Sequence, residues 1–246
     1  MQMSIVDDLL NELDTDVPVR AVLVGVHWAV VCSRHCGMAA TLMSSHSHGH
    51  KQVQDAGRLH QKSMRELVEL ARSPELLEAS IGVAAINSLL DVDESNSREM
   101  NASEVLASRG RGKNVALVGH FPFIPQLRSA VGQLWVIEQH PAEDEYPPEA
   151  AADLIPQADI VAITSSTFVN QTLDGLLALC TPRATVMLLG PSTPLSPILF
   201  HHGVNIISGA RVVDEAAVLR TVGQGASFRQ VEGVKLLTFV NEKEKK

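Results

Sequence analysis

Aromatic residues are scarce in this chain, with two Trp, one Tyr and six Phe among 246 residues. Its core must therefore be built from Val, Leu, Ile and Ala, which dominate a hydrophobic content of 45%, an ordinary level for a globular protein. Basic runs are missing too. Nothing exceeds the short stretch 109–113, and the formal net charge is −8, so the electrostatic footprint of a nucleic-acid binder is absent. Long apolar runs are also absent. The best candidate, residues 17–32, is interrupted by Arg20 and His27 and falls short of the ~20 residues that a membrane span needs. Cysteines number three, and the odd count argues against a disulfide framework. Near the N-terminus, Asp7 and Asp8 stand where a signal peptide would carry bases. These absences together lead us to expect a cytoplasmic protein with neither nucleic acid nor membrane as partner. Familiar catalytic signatures are missing as well: no GxGxxG, Walker loop, GxSxG elbow or HExxH occurs. No nucleophile or acid–base pair stands out, so the residues alone do not mark the chain as an enzyme.

What is present is most informative over 114–138, NVALVGHFPFIPQLRSAVGQLWVIE. An apolar strand meets a turn at Gly119, a helix-like segment follows, and a second apolar strand ends in Glu138. An acid about 20 residues past the turn glycine is the spacing of a mononucleotide-binding half of a doubly wound sheet. The turn Gly119-His120-Phe121-Pro122 carries proline where a dinucleotide fingerprint needs glycine, which disfavours NAD. Farther on, strands at 159–164, 184–189, 204–208 and 234–240 alternate with helices of about ten residues. That rhythm predicts a parallel sheet with helices on both faces.

The first half reads differently. Ser4 caps a helical pattern with Ile5, Leu9, Leu10 and Leu13 on one face. Residues 19–31 have the composition of one strand, in which Gly25 marks a bulge or a close backbone approach. A second strand over 38–43 would make a hairpin turning at 33–37. Residues 44–58 read as a loop. Helices are expected over 63–71 and over 74–90, the latter with Ser73 as N-cap and Pro74 at its first position. Its ASIGVAAINSLL stretch is small and apolar, suited to close packing, and contains the amide of Asn87. The polar stretch 91–113 suggests a boundary, giving domains 1–108 and 109–246.

Three loops follow successive strands and should line one sheet edge. They are the Gly119 turn; the run from Thr164 through Thr167 to Asn170, where a helix start favours an anion; and the stiff run Pro191-Ser192-Thr193-Pro194. Such polar loops suit a small-molecule site, and Glu138 at a strand end could bond ribose hydroxyls. A separate signal lies upstream. Cys32, His35, Cys36, His46, His48 and His50 place six potential ligands in a short span, and thiolate with imidazole suits a transition metal. Their spacing matches no standard zinc site.

The stretches VLVGVHWAVV, CGMAATL, EASIGVAAINSLL, VALVGHFPFI, WVIEQHP, ADIVAITSSTFVNQTLDGLL and LLGPSTPLSPILFHHGVNIISGARV resemble a family described by heavy-metal chelation and long classed as a domain of unknown function. The resemblance covers roughly residues 5–240. It implies an α/β chain in which a small α+β domain resembling the enolase N-terminal domain precedes a Rossmann-like doubly wound parallel sheet, with a cleft between them. The family motifs match here at Asn87, Gly119, Phe121, Pro122, Glu138, Thr164, Thr167, Asn170, Pro191, Thr193 and Pro194. The cysteine and histidine tracts do not map onto those motifs. Two ligands follow as expectations. One is a transition metal or metal–chelate in the cleft. The other is a nucleoside-type cofactor, S-adenosylmethionine first among them, in an enzyme whose hydroxyl loops would hold a second substrate. A non-catalytic small-molecule module is the third reading. The small-residue helices permit a homodimer.

Overall fold

The computed structural model describes residues 4–43, 53–97 and 99–241. Helix α1 (Ile5–Glu12) starts with Ser4 and Asp7 in a reciprocal capping box. Strands β1 (Ala21–Val24), β2 (Trp28–Cys32) and β3 (Cys36–Ala40) then form an antiparallel three-stranded sheet. The single strand expected over 19–31 is thus two strands. The chain folds back after Gly25, whose N–H donates to the Trp28 carbonyl at 2.8 Å. The reason is burial on both faces. Ala29 and Val31 join one core cluster while Val30 and Cys32 join another, so no polar alternation marks the turn. Gly25 does make the close approach its residue type suggests, since a Cβ there would lie 2.7 Å from the Val222 carbonyl.

Helices α2 (Met64–Glu69) and α3 (Leu76–Leu89) follow. Helix α3 begins two residues later than expected, with Glu75 rather than Ser73 at the cap; the Ser73 hydroxyl instead donates to Glu78 at 2.6 Å. From Ala79 to Leu89 every residue of α3 but Asn87 is buried. Its backbone meets its neighbours with no side chain between. A Cβ on Gly37 of β3 would sit 2.3 Å from the Ala84 carbonyl oxygen, and one on Gly82 would sit 2.0 Å from the Ala71 nitrogen.

Helix α4 (Ala102–Arg109) leads into the larger sheet. Its elements are β4 (Asn114–Val118), α5 (Ile124–Ala130), β5 (Gln133–Ile137), α6 (Ala151–Leu154), β6 (Ile160–Thr164), α7 (Ser166–Val169), α8 (Leu173–Leu179), β7 (Thr185–Leu189), α9 (Ile198–His201), β8 (Ile206–Val212), α10 (Glu215–Gly223) and β9 (Val234–Val240). The six strands lie in the order β5-β4-β6-β7-β8-β9. The first five are parallel, as the alternation of strands and helices predicts, and β9 closes the edge antiparallel to β8. Counted from β4, the order is 2-1-3-4-5-6, a doubly wound arrangement. One face of this sheet packs on α4 and α5. The other shares a continuous aliphatic core with α1, α2 and α3. The second face of the small sheet packs on α10. Among the described residues no helix is long and apolar enough to cross a membrane.

The Gly82 contact yields a signed prediction. In an exposed helix, Gly→Ala would stabilise by about 1 kcal/mol. Here the new methyl meets backbone, and overpacking of this kind costs roughly 1–3 kcal/mol. We expect Gly82→Ala to lower the melting temperature by several degrees, since ~1 kcal/mol corresponds to about 2–4 °C at this chain length. An unchanged or raised midpoint in a thermal melt would contradict the packing described.

Candidate functional site

Strand β4 has β5 on one side and β6 on the other. The winding direction therefore reverses between β4 and β6, and a crevice opens at their carboxyl ends. The cleft there measures about 670 Å³, within the range of ~300–1,000 Å³ typical of small-molecule sites. Its floor is made by Val118 at the end of β4 and Gly119 after it, Ile137 at the end of β5 and Glu138 after it, and Thr164 of β6. Leu176 and Leu179 of α8 form one wall, the Glu149–Ala152 segment another, and Leu42, just past β3, contributes from the small sheet. Gly119 has φ +106°, and a Cβ there would lie 2.8 Å from the Thr164 side chain. Only glycine lets these two strand ends come so close while the chain turns.

His120, the next residue, is held by a partner that the sequence does not advertise. Its Nδ1 lies 2.9 Å from Glu145 Oε1, and Glu145 Oε2 accepts the Ala142 N–H at 3.0 Å. The Glu145 side chain is 4% exposed, the His120 ring 62%. Backbone pairing fixes the carboxylate. The chain after β5 doubles back, so that Glu138 N–H donates to the Tyr146 carbonyl at 2.9 Å and Tyr146 N–H to the Val136 carbonyl at 2.8 Å. A carboxylate only accepts, so in the neutral ring Nδ1 carries the proton and Nε2 keeps its lone pair. A histidine oriented by a carboxylate in this way is the usual form of a metal-ligating imidazole. Glu138 Oε1 accepts the Gln139 N–H at 2.8 Å.

The β6 end supplies hydroxyls. Thr164 Oγ1 and Ser166 Oγ are 3.0 Å apart, and the Thr167 hydroxyl donates to the Thr164 carbonyl at 2.6 Å. Asn170 Oδ1 accepts the Thr172 hydroxyl at 2.7 Å. Helix α7 is one turn, Gln171 has φ +59°, and α8 starts only at Leu173. So short a helix gathers little dipole for an anion. Among the described residues the lining contains no Lys or Arg, whereas Glu138 and Glu149 both belong to it.

The structure brings together Gly119, His120, Glu138, Thr164, Thr167 and Asn170, and it puts the other expected residues elsewhere. Phe121 stacks on Phe123 at 5.1 Å against the α4–α5 core, and Pro122 is exposed. The Pro191–Thr193 loop does not join the cleft lining. Ser192 and Thr193 are buried, and the Thr193 hydroxyl donates to the Gly190 carbonyl at 2.8 Å. Asn87 bonds across this seam rather than locally. Its Nδ2 donates to the Met38 carbonyl at 3.0 Å and the Ser192 carbonyl at 3.1 Å, while Ala40 N–H donates to the Ser192 hydroxyl at 2.8 Å.

The cysteine and histidine group also separates. Cys32 and Cys36 are joined in a disulfide, contrary to the reading of the odd count. They are register partners across β2 and β3 with Cα atoms 4.1 Å apart, a proximity that a count cannot reveal. His35 turns to Asp91, with Nε2 at 2.9 Å from Oδ1. That bond, with Arg34 nearby, holds the Asp91 carboxyl below its ordinary value. His46, His48 and His50 lie outside the described residues. Burial pushes the third thiol, Cys180, up to about 11. Glu145 and Glu149 are the residues that sequence reasoning missed. The only available signal was the acidic character of the loop that carries Glu145.

Glu145→Ala removes the acceptor of two hydrogen bonds from a buried carboxylate. Bonds to charged groups are worth about 1.5–3 kcal/mol each at most, so we expect the variant to be less stable by roughly 1–3 kcal/mol. Hydrogen exchange should quicken at the Ala142 amide. Unchanged protection there would show that the carboxylate does not hold the loop.

Comparison with known proteins agrees with this architecture. Residues 101–241 match the DUF364 family, described as "Putative heavy-metal chelation", and residues 6–90 match DUF4213, which carries the same description. A crystal structure of a DUF364 protein of unknown function from Desulfitobacterium hafniense superposes with a TM-score of 0.80 at 28% identity, covering 96% of this chain and 97% of that one. A second, from Pyrococcus horikoshii, superposes with a TM-score of 0.83 at 21% identity, covering 96% and 98%. An uncharacterized protein of Methanocaldococcus jannaschii is 28% identical over 188 residues, 72% of this chain and 70% of its own length. The DUF364 match spans more than half of the chain, an enolase-N-terminal-like sheet precedes the Rossmann-like one as in the superposed structures, and the chain therefore belongs to the DUF364 family.

Proposed function

We propose that the protein binds a positively charged metal–chelate complex in the cleft at the ends of β4, β5 and β6. The observation that carries this reading is the make-up of the lining. Glu138, Glu149 and the Glu145-oriented imidazole of His120 face a cleft to which no lysine or arginine among the described residues contributes. Like charges placed together cost several kcal/mol, so a phosphate-bearing ligand is disfavoured and a cation favoured. Size separates a chelate from a bare ion. A bare ion needs donors that converge, and among the described residues the cleft contributes no set of three His, Cys, Asp or Glu donors within 4.8 Å. A cleft of about 670 Å³ accommodates an organic molecule, which would supply most of the coordination itself. His120 Nε2 would then complete the metal's shell, Glu138 would balance its charge, and the Thr164–Asn170 hydroxyls and amide would bond the chelator. The family description supports the same direction.

One feature favours a second reading. Glu138 directly follows the strand next to the switch point, where an acid bonds ribose hydroxyls in nucleoside-binding folds. S-adenosylmethionine is also cationic at sulfur, so the lining does not oppose it.

A thermal-shift panel separates the two readings. It contains the 1:1 Ni²⁺–histidine complex, Ni²⁺–citrate, free Ni²⁺ and S-adenosylmethionine. A ligand at 100 times its Kd adds about 2.7 kcal/mol, or roughly 5–10 °C at this size. We expect the cationic histidine complex to stabilise the protein and Glu138→Gln to weaken that effect at least about tenfold, by loss of a charge-assisted contact. Stabilisation by S-adenosylmethionine alone would move the assignment to the second reading. No shift with any metal complex would overturn the first.

A further inference from the structure

Away from the cleft, two neighbouring cysteines and a carboxylate from a distant part of the chain meet under the small sheet. Cys32 ends β2 and Cys36 opens β3 as its register partner, so both side chains leave the sheet on one face. That face packs on α10 through Val218 and Val222. Glu215, the first residue of α10, reaches the sulfurs. Both Sγ atoms and a Glu215 oxygen lie within 4.8 Å of one another. Arg20 ties the corner together. Its Nη1 donates to the two Glu215 oxygens at 2.8 and 2.6 Å, its Nε to the Ser33 carbonyl at 2.6 Å, and its backbone N–H to the Cys32 carbonyl at 2.7 Å. None of these residues lines the cleft.

We infer that Cys32, Cys36 and Glu215 form a redox-gated site for a thiophilic divalent cation such as Zn²⁺ or Cd²⁺. In the disulfide the sulfurs carry no thiolate and do not ligate. A dithiol reductant opens it. Two electrons and two protons pass to the Cys32–Cys36 bond, giving two thiols, while the reductant becomes a disulfide. Each thiol releases its proton as the cation binds. Two thiolates and the Glu215 carboxylate then carry three negative charges. The cation supplies two positive charges and Arg20 the third, so the closed site is neutral. This balance matters because Cys32 is 0% and Cys36 8% exposed, and an uncompensated buried charge is costly. Thiolate ligands select soft ions over Mg²⁺ or Ca²⁺. Three protein ligands leave the fourth tetrahedral position for water, and the Glu215 side chain is 36% exposed. The reverse exchange, with an oxidised dithiol taking up the electrons, re-forms the bond and expels the ion. The inference does not rest on the cleft reading, since neither its residues nor its readout involve the cleft.

The test is a Cd²⁺ titration of the full chain, before and after reduction by a phosphine, which adds no thiol of its own. The readout is the ultraviolet thiolate-to-cadmium charge-transfer band, which histidine-bound cadmium does not give. The reduced protein is expected to develop the band with one equivalent, and the oxidised protein to show none. Cys180→Ser should leave the band intact and Cys32→Ser should remove it. Glu215→Gln should weaken affinity about tenfold or more, on the scale of lost metal contacts. Should Cys32→Ser unfold by circular dichroism, Glu215→Gln reads the same site from a half-buried helix start. A reduced protein without the band, a band surviving Cys32→Ser in folded protein, or affinity indifferent to Glu215→Gln would overturn the inference.

Discussion

Helix α3 is packed backbone to backbone, and the position of the cleft depends on that contact. Gly37 and Gly82 remove the side chains that would hold β3 and the Leu70–Arg72 turn away from it. The helix carries Asn87 to the seam with the larger sheet, where one amide joins the Met38 and Ser192 carbonyls. The small sheet is thereby set against the carboxyl edge of the large one. Leu42, just beyond β3, then stands as a wall of the cleft. A bulkier α3 would separate the layers and leave the strand ends open to solvent.

The strand ends themselves are shaped by one charge and one turn. Gly119 brings β4 against Thr164, which narrows the crevice at the switch point. The loop after β5 folds back to pair with that strand and delivers Glu145 beneath His120. A buried carboxylate behind an exposed imidazole, flanked by Glu138 and Glu149, makes a lining that favours positive charge. The cysteine pair belongs to another corner, where Arg20 and Glu215 bind the small sheet to α10.

Much of this was legible in the residues because local signals agreed. The Gly119 turn and Glu138 marked the first strand–helix–strand unit, and the small-residue run around Asn87 marked a helix that packs closely. Where signals failed, the cause was long range. Burial of β2 on both faces, beside an apolar β1, erased the alternation that would have divided 19–31. The hydroxyls of Ser192 and Thr193 imitate a ligand loop, yet they satisfy backbone groups at a buried seam. Glu145 acquires meaning only beside His120, 25 residues away. Glu215 lies close to Cys32 in space but 183 positions away in sequence (215 − 32), so no spacing rule could pair them.

The central claim is that the cleft holds a metal within an organic complex. Its most direct test is diffraction at the metal absorption edge, from crystals grown with the Ni²⁺–histidine complex. The account predicts an anomalous peak between His120 and Glu138, with the chelator's density reaching toward Thr164 and Asn170. An anomalous signal confined to other histidines or to Cys32 and Cys36, with no peak in the cleft, would contradict it.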